Sequence, residues 1–453
     1  MTKKQYSVDM VNGPIFKNII AFVVPLIFSS ILQLLYNAAD IIVVSRFAGS
    51  DAMASVGSTS SISNLIISLF IGFSTGASVI VSRKYGARDD EGVHRAVHTA
   101  VSLGVITGLV SLVAGILLSS PVLKLMGVPE GKVLDGAVLY MRIIFIGVPA
   151  NLIYNFGSTV LRAIGDTKRP LYILALSGLV NVVLNLIFVI CFHMSVAGVA
   201  WATTISNCLS AFAVVYALVK AEGSYKLVLR EMKIYKDELV EILKIGLPAG
   251  IQGSMFGISN SLIQSGVNSF GVATMAGNSA ASNIDSFIYV TTSAFGHAAI
   301  TGVSQNFGAK NEKGLYKSYK TSLLCAIVAG LMVGTLGALF ATPLLKIYIA
   351  DSAQAIDIGR IRLYITGLTY FLCGIMEVQV GMLRGMGYSV TTMINSLLGV
   401  CGFRVLWITF VLPMFHSVST LYLCWPVSWC LVVIMNFICY MIVRKKAIQK
   451  MYE

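Results

Sequence analysis

Apolar segments of about 20 residues or more are the feature that most constrains the fold of this chain. Hydropathy windows of about 19 residues predict twelve of them, six in each half of the sequence. A helix of about 20 apolar residues crosses the hydrocarbon core of a bilayer. We therefore predict an all-α integral membrane protein with spans at 18–45, 58–81, 97–119, 136–160, 171–192, 197–219, 242–268, 279–303, 319–345, 361–383, 391–413 and 419–442.

The composition excludes a soluble globular protein of this size. Only 12% of the residues are charged and 56% are hydrophobic, with a mean hydropathy of +0.81, whereas soluble domains carry about 25% charged residues. The first apolar stretch, Ile19 to Val44, is too long for a signal-peptide core and is predicted to remain as a helix. The 8 cysteines form no pattern typical of a metal site, so we predict neither a metal nor a cofactor.

Basic residues are distributed unevenly between the two sides of the predicted spans. All but eight of the 33 Lys and Arg lie at the termini or in the loops that follow even-numbered spans. Cytoplasmic loops retain Lys and Arg, so this asymmetry predicts a multi-pass protein of the cell (inner) membrane with both termini in the cytoplasm. The net charge of +13 is then a topology signal, and no nucleic-acid partner is predicted.

The two halves carry related sequences at a constant separation. Val81–Gly92 (VSRKYGARDDEG) is similar to Val303–Gly314 (VSQNFGAKNEKG), with an offset of 222 residues. The same offset relates Val160–Pro170 (VLRAIGDTKRP) to Met382–Thr392 (MLRGMGYSVTT). Self-similarity at a fixed period indicates an internal duplication. Because six spans per half is an even number, both halves enter the membrane from the same side as a parallel repeat.

This repeat predicts three segments: an N-terminal six-helix lobe at 1–222, a cytoplasmic amphipathic linker at 223–240 and a C-terminal six-helix lobe at 241–453. Within the linker, Tyr225–Lys236 mixes basic and apolar residues. That pattern suits either an interfacial amphipathic helix or an ordinary charged linker. Parallel repeats are a known transporter design, with substrate sites near mid-membrane and alternating access. We see no pore-lining rings and no cluster of catalytic groups, so neither a channel nor an enzyme is predicted.

Three acidic side chains lie inside predicted spans, out of 20 Asp and Glu: Asp40, Asp285 and Glu377. A charge at the bilayer centre costs about 2.5–3.5 kcal/mol or more, so such residues indicate a functional site by default. Burial also disfavours the charged form of an acid. A membrane-embedded Asp can therefore gain and lose protons under physiological conditions.

Asp40 belongs to a polar stripe on the first span. Residues three, four and seven positions earlier share its helix face, and spans 4, 5 and 6 offer further amides and a hydroxyl. The alternative is that such groups only hold helices together by hydrogen bonds. The N-lobe candidates are Gln33, Tyr36, Asn37 and Asp40 on span 1, Asn155 on span 4, Asn181 and Asn185 on span 5, and Thr203 on span 6. Of these, four are candidates for the lining of a substrate cavity: Gln33, Tyr36, Asn37 and Asn155.

The second lobe has its own polar set, Asp285, Gln252, Glu377 and Arg404. A pair between Glu377 and Arg404 would lower the membrane cost of both charges, and its role is either structural or in gating. Asp285 is a candidate for a second protonation site or for a substrate site.

Several motifs together resemble those of the multidrug and toxic compound extrusion (MATE) family, and of its DinF-like bacterial branch in particular. They are Leu32–Gly49 (LQLLYNAADIIVVSRFAG), the VSRKYGARDD loop, the LRA-x-GDT and LRG-x-G loops after spans 4 and 10, and Ser282–Phe287 (SNIDSF). The resemblance covers essentially the whole chain. It implies two six-helix lobes forming a V, and antiport of a small molecule against protons or sodium.

The same resemblance implies a cation or proton role for Asp40, Asn181, Asn185 and Thr203, with Gln33 and Tyr36 beside them. Some relatives have an acid at the position of Asn185, and sodium-driven relatives have one in span 7, which here contains none. Protons are therefore favoured, although the oxygens of Asp40, Asn181 and Asn185 remain a possible sodium site.

Proton-coupled export of small amphipathic, often cationic, molecules by a monomer is the leading hypothesis. Sodium coupling is the first alternative. A lipid-linked oligosaccharide flippase is the second, and it requires a cavity rich in Arg and Lys to hold pyrophosphate, whereas only Arg404 is clearly placed inside a span. A scaffold or receptor that transports nothing would not require the intramembrane acids.

Overall fold

The structure is a computed structural model that describes residues 7–48, 50–349 and 352–452, except the side chains of 48, 50, 51, 53, 54 and 60–66. The described residues are almost entirely helical and contain no strand. Lipid offers no partners to backbone polar groups, so a chain this apolar satisfies them within helices. The helices are α1 (Ile15–Val43), α2 (Ser50–Gly86), α3 (Asp90–Leu125), α4 (Lys132–Ala163), α5 (Lys168–Leu186), α6 (Ser195–Val219), α7 (Lys236–Asn268), α8 (Val272–Gly308), α9 (Glu312–Leu339), the short α10 (Ala341–Tyr348), α11 (Ala353–Gly385), α12 (Ser389–Met414, with π turns at Leu397–Gly402 and Trp407–Val411) and α13 (Val418–Tyr452).

The predicted all-α membrane fold is confirmed. Nine helices of the described chain are long and apolar enough to cross a membrane. The other three predicted spans fall on α2, α7 and α8, which have 37, 33 and 37 residues. These three helices carry many Gly, Ser, Thr, Asn and Gln residues, and this lowers their mean hydropathy.

Between α6 and α7, the linker does not form the interfacial helix that was one of its two predicted forms. It contains a single 3-10 turn, Leu229–Glu231, before α7 begins. Two of its backbone N–H groups donate to side chains of α3 instead of to a helical ladder. Val228 N donates to His98 Nε2 at 3.1 Å, and Tyr235 N donates to Thr99 Oγ1 at 3.1 Å. The structure therefore agrees with the ordinary linker.

The duplication is visible in the backbone of equivalent loops. Arg88 and Lys310, which are 222 residues apart, both adopt the left-handed region with φ values of 55° and 53°. Gly165 and Gly387 have the same separation and φ values of 91° and 96°, which side chains other than glycine rarely tolerate. The two loops that follow α2 and α8, and the two that follow α4 and α11, are therefore built alike.

Contacts divide the chain into two compact units. The first unit comprises residues 1–8 and 24–250, and the second comprises 9–23 and 251–453. In the first, α4 packs against α2, α3 and α6; in the second, α11 packs against α8, α9 and α13. Small residues allow close backbone approach where helices cross in lipid. A Cβ at Gly334 or at Gly367 would collide with the carbonyl oxygen of the other.

Each unit includes a segment from the start of the opposite half of the sequence. In the first unit, Gly246 and Gly250 of α7 pack against the backbone of α2 at Phe73 and Leu69. In the second, the fully buried Met10 accepts a hydrogen bond at its carbonyl from Asn306 Nδ2 at 2.9 Å. Residues 9–23 are therefore part of the second unit.

Asp89 and Asn311 cap the N-termini of α3 and α9 in the same way and provide a matched test of the loop. Each side chain accepts a hydrogen bond from the backbone N–H three residues on, at 2.9 Å. Near neutral pH we expect Asp89→Ala and Asn311→Ala each to lower the free energy of unfolding by about 1 kcal/mol. Thermal unfolding of the purified variants measures this.

The contributions of the two caps to stability should differ at low pH. The Gly92 N–H holds the pKa of the Asp89 carboxyl below its ordinary value. A lowered pKa contributes stability above the unfolded-state pKa, and this stability is lost as the pH falls through the folded-state pKa. The effect of Asp89→Ala should shrink in acid while that of Asn311→Ala stays constant. Equal pH dependence of the two variants would contradict this account.

Candidate functional site

Two adjacent π turns position the polar site of the first unit. Asp40 lies three residues before the end of α1, which continues as the π turn Val44–Ala48. Asn185 is the next-to-last residue of α5, which continues as the π turn Ile187–Cys191. Buried Val44 and Val189 from these turns pack in one apolar cluster. Packing of the two turns brings the ends of α1 and α5 together, and π turns are frequent at functional sites.

Asp40 is held by neutral hydrogen-bond donors. Its Oδ1 accepts a hydrogen bond from Asn185 Nδ2, and its Oδ2 accepts one from Thr203 Oγ1 at 3.3 Å. Asn181 joins the set, since its Nδ2 donates to Thr203 Oγ1 at 3.4 Å and its Oδ1 accepts from Asn185 Nδ2 at 3.3 Å. The structure thus brings together all four residues of the predicted coupling set.

A cavity of about 180 Å³ opens beside this carboxylate. None of its lining residues in the described part of the chain is basic, so the charge of Asp40 has no cationic partner there. A carboxylate away from bulk water is costly unless it is paired, and it takes up a proton or a cation instead. The cavity is lined by Gln33, Tyr36, Asn37, Asp40, Ile67, Ile144, Val148, Asn151, Tyr154, Leu174, Ser177, Gly178, Asn181, Thr203, Ser206, Asn207 and Ser210.

Of the four predicted substrate-cavity residues, three line this cavity and Asn155 does not. Asn155 lies one helical turn further along α4 and donates to the Asn151 carbonyl and side-chain oxygens at 2.9 and 3.0 Å. Asn151 is the residue that faces the cavity. Tyr36 is held by a hydrogen bond from its Oη to the Ala175 carbonyl at 3.2 Å, and its ring covers Gly178.

The second unit contains a larger cavity, of about 380 Å³. Three of the four predicted polar residues, Asp285, Glu377 and Arg404, line it. Gln252 does not; it donates to Ser396 Oγ at 2.8 Å and accepts from Arg384 Nη2 at 2.7 Å.

The predicted pairing of Glu377 with Arg404 is wrong. Glu377 Oε1 accepts a hydrogen bond from Tyr289 Oη at 3.4 Å. Arg404 donates to Asn260 Oδ1 at 3.1 Å and to Ser428 Oγ at 3.3 Å. The two charges line the same cavity but each is bonded to neutral groups on helices other than its own.

The ion pair of this cavity is instead Asp285 with Arg362, which the sequence analysis missed. Arg362 Nε and Nη2 lie 2.9 and 2.8 Å from Asp285 Oδ2, and Thr366 Oγ1 donates to Oδ1 at 3.1 Å. Hydropathy placed Arg362 at the very start of its span, whereas α11 begins nine residues earlier, at Ala353. The sequence did contain a signal for this pair, because an acid buried in a membrane such as Asp285 requires a partner.

A third polar cluster, outside the cavities, joins α3 to the linker. Ligand atoms of His94, His98 and Glu231 lie within 4.8 Å of one another, a grouping that the sequence did not reveal. Both ring nitrogens of buried His98 are already engaged, with the His94 carbonyl at 2.7 Å and with Val228 N at 3.1 Å. This leaves no free imidazole lone pair on His98, so the cluster serves to attach the linker.

Comparison with known proteins matches both halves of the chain to one family. The sequence model of the MatE family fits residues 25–187 and again residues 248–411. The chain belongs to the MatE family. The two matched segments of this MatE protein begin 223 residues apart, in agreement with the duplication, and the resemblance to MATE transporters is confirmed.

Related proteins cover nearly the full length of this MatE chain. It is 26% identical to the probable multidrug resistance protein YoeA of Bacillus subtilis over 441 residues, 95% of either protein. It is 28% identical to the probable multidrug resistance protein YpnP of the same organism over 396 residues, 86% of this chain and 87% of that protein. Its fold matches a crystal structure of MATE in complex with MaL6, with a TM-score of 0.91, 24% identity, and coverage of 99% of this chain and 100% of the other.

Proposed function

We propose that this MatE protein exports small amphipathic, often cationic, molecules in exchange for protons by alternating access. One observation carries the proposal: among the described side chains, Asp40, the acid of the first-unit cavity, is bonded only to the neutral donors Asn185 and Thr203. The names of its relatives YoeA and YpnP, both probable multidrug resistance proteins, support drugs or toxins as the substrate class. We place the protein in the cell membrane as a monomer with both termini in the cytoplasm.

Exchange follows from competition for the charge of Asp40. When the carboxyl is ionised, the cavity carries one negative charge that attracts a cationic substrate. When it takes a proton, this attraction is removed and the substrate is released. A proton gradient can drive export only if proton and substrate have such opposed preferences, because coupling between two ligands is a difference in binding free energy.

Hydrogen-bond polarity at Asp40 argues against a bound sodium ion. The groups turned toward the Asp40 oxygens are an N–H of Asn185 and the O–H of Thr203, which suit a bare carboxylate. A hard cation would require oxygens there instead. Sodium coupling is the second candidate, on one specific observation: the buried Asn185 Oδ1 has no hydrogen-bond partner among the described atoms. Rotation of that amide would turn an oxygen toward a bound ion.

The coupling ion is tested by reconstituting the purified protein in vesicles with a panel of fluorescent cationic dyes. We expect an imposed pH gradient to drive dye export, and an imposed sodium gradient without a pH gradient to leave the dye at the level of protein-free vesicles. A protonophore should abolish the export. Export driven by sodium alone would replace the proton with sodium in this proposal, and no export under either gradient would reject antiport.

A further inference from the structure

The cavity of the second unit contains an arginine without a counter-charge. Arg404 is 4% exposed and lines the cavity. Its hydrogen bonds, at 3.1 and 3.3 Å, go to the neutral side chains of Asn260 and Ser428. Among the described side chains, no carboxylate oxygen lies within 4 Å of this guanidinium. A buried guanidinium that faces a cavity without an anion is costly for the folded protein.

The same cavity contains a carboxylate, Glu377, that forms no ion pair with a described side chain. Glu377 accepts a hydrogen bond from the neutral Tyr289 Oη. Arg384, two turns further along α11, donates to Gln252 rather than to Glu377. Within the described part of the chain, no Lys or Arg nitrogen lies within 4 Å of the Glu377 carboxylate.

The remaining charges of the cavity cancel each other. Arg362 and Asp285 are joined at 2.8 Å and are both about 7% exposed. This leaves one guanidinium on α12 and one carboxylate on α11, and neither forms an ion pair within 4 Å with a described side chain. The charge of Arg384 acts on Glu377 only at longer range. An intramembrane cavity with a separated positive and negative group favours a ligand that carries both charges.

Aromatic side chains form part of the wall of this cavity. The centroid of the Trp425 ring lies 5.5 Å from the Arg404 guanidinium carbon, within the range of a cation–π contact. Trp429 packs against Tyr370 with ring centroids 5.1 Å apart, and both line the cavity. The volume of about 380 Å³ lies within the range of small-molecule sites, about 300–1,000 Å³. The lining therefore suits an aromatic body as well as two charges.

We propose that the cavity of the second unit binds a small aromatic zwitterion, with its carboxylate on Arg404 and its ammonium group on Glu377. Charge-assisted hydrogen bonds at both ends would give each side chain a counter-charge in direct contact. The inference rests on the proposed function only in treating this ligand as a transported substrate. Binding itself requires neither a gradient nor Asp40.

The test is equilibrium binding of radiolabelled tryptophan to the full-length protein in detergent, without any gradient. Its methyl ester keeps only the positive charge, and its N-acetyl derivative keeps only the negative charge. We expect tryptophan to bind at least about tenfold more tightly than either derivative. Equal binding of all three compounds overturns the proposal without any substitution in the protein.

Two variants assign the two ends of the ligand. Arg404→Gln should remove the preference over the methyl ester and keep the preference over the N-acetyl compound. Glu377→Gln should do the reverse. Arg360→Gln, which removes an exposed arginine of α11 paired with Asp357, should keep both preferences. If Arg404→Gln and Glu377→Gln also keep both, the assignment is wrong.

Two further outcomes distinguish this inference from a lipid-headgroup site and from the proposed antiport. A phosphoethanolamine headgroup carries the same two charges, so the titration is repeated with soluble glycerophosphoethanolamine; tighter binding of this compound than of tryptophan overturns the aromatic assignment. Failure of gradient-driven dye export with the zwitterion preference intact rejects the proposed antiport and leaves this site standing. Dye export without the preference does the opposite.

Discussion

Export driven by a pH gradient should fall to the level of protein-free vesicles when Asp40 is replaced with Asn. The substitution keeps the size of the side chain and removes the group that titrates. Asn185 Nδ2 can still donate to the new amide oxygen, and the Thr203 hydroxyl can turn to accept from the new amide N–H. We therefore expect the variant to be folded, with a melting temperature close to that of the unsubstituted protein, and to have lost only the coupling.

The measurement is dye export from vesicles at a fixed imposed pH gradient, with reconstitution checked by the amount of protein per vesicle. Asp135→Asn, which changes an exposed acid in the first turn of α4, is the matched control and should export at the original rate. Continued export by Asp40→Asn under a pH gradient would show that the proton is carried elsewhere.

Breaking the ion pair of the second unit should cause the largest loss of stability. Arg362→Ala leaves the Asp285 carboxylate buried without its cation, and removal of one partner of a buried pair costs about 3–5 kcal/mol. Thr366 alone would continue to donate to that carboxylate. Thermal unfolding in detergent should show a melting temperature lower by many degrees, and expression should fall accordingly.

An exposed ion pair on the same helix serves as a control that shows how much of the loss is due to burial of the charge. Arg360, two residues earlier, pairs with Asp357 at 3.1 Å, and both side chains are exposed; Arg360→Ala should cost no more than about 1 kcal/mol. The double variant Arg362→Met with Asp285→Leu should recover most of the lost stability, because apolar replacement of a buried pair is often neutral. Equal destabilisation by Arg360→Ala and Arg362→Ala would contradict the buried pair.

The architecture was accessible from sequence because both of its signals are strong. Hydropathy locates segments that can exist only as helices in lipid. The 222-residue offset shows that the second half of the chain repeats the first half. The equivalent turns at Arg88 and Lys310 follow from that repeat. The extended linker was ambiguous, since the bonds from Val228 and Tyr235 to α3 depend on tertiary neighbours and not on local pattern.

The polar sites were accessible to different degrees. The helix periodicity of α1 and α5 indicates which faces Asp40 and Asn185 occupy, and the resemblance to MATE transporters implied that these two residues act together. The bonding partners of the charged residues in the second unit could not be predicted, because the sequence does not show which helix packs against Arg404. Asn151 and Asn155 lie one helical turn apart on the same face of α4. Which of them lines the cavity depends on how the neighbouring helices pack, and this is not visible in the sequence.

The membership of residues 9–23 in the second unit has a consequence for biosynthesis. A ribosome delivers the chain from its N-terminus, so this segment leaves the exit tunnel long before Asn306, which bonds to Met10. At about 5–20 residues per second, the wait lasts on the order of 15–60 s. The first unit also remains incomplete until the start of α7 has been translated, so neither half is a finished folding unit during its own insertion into the membrane.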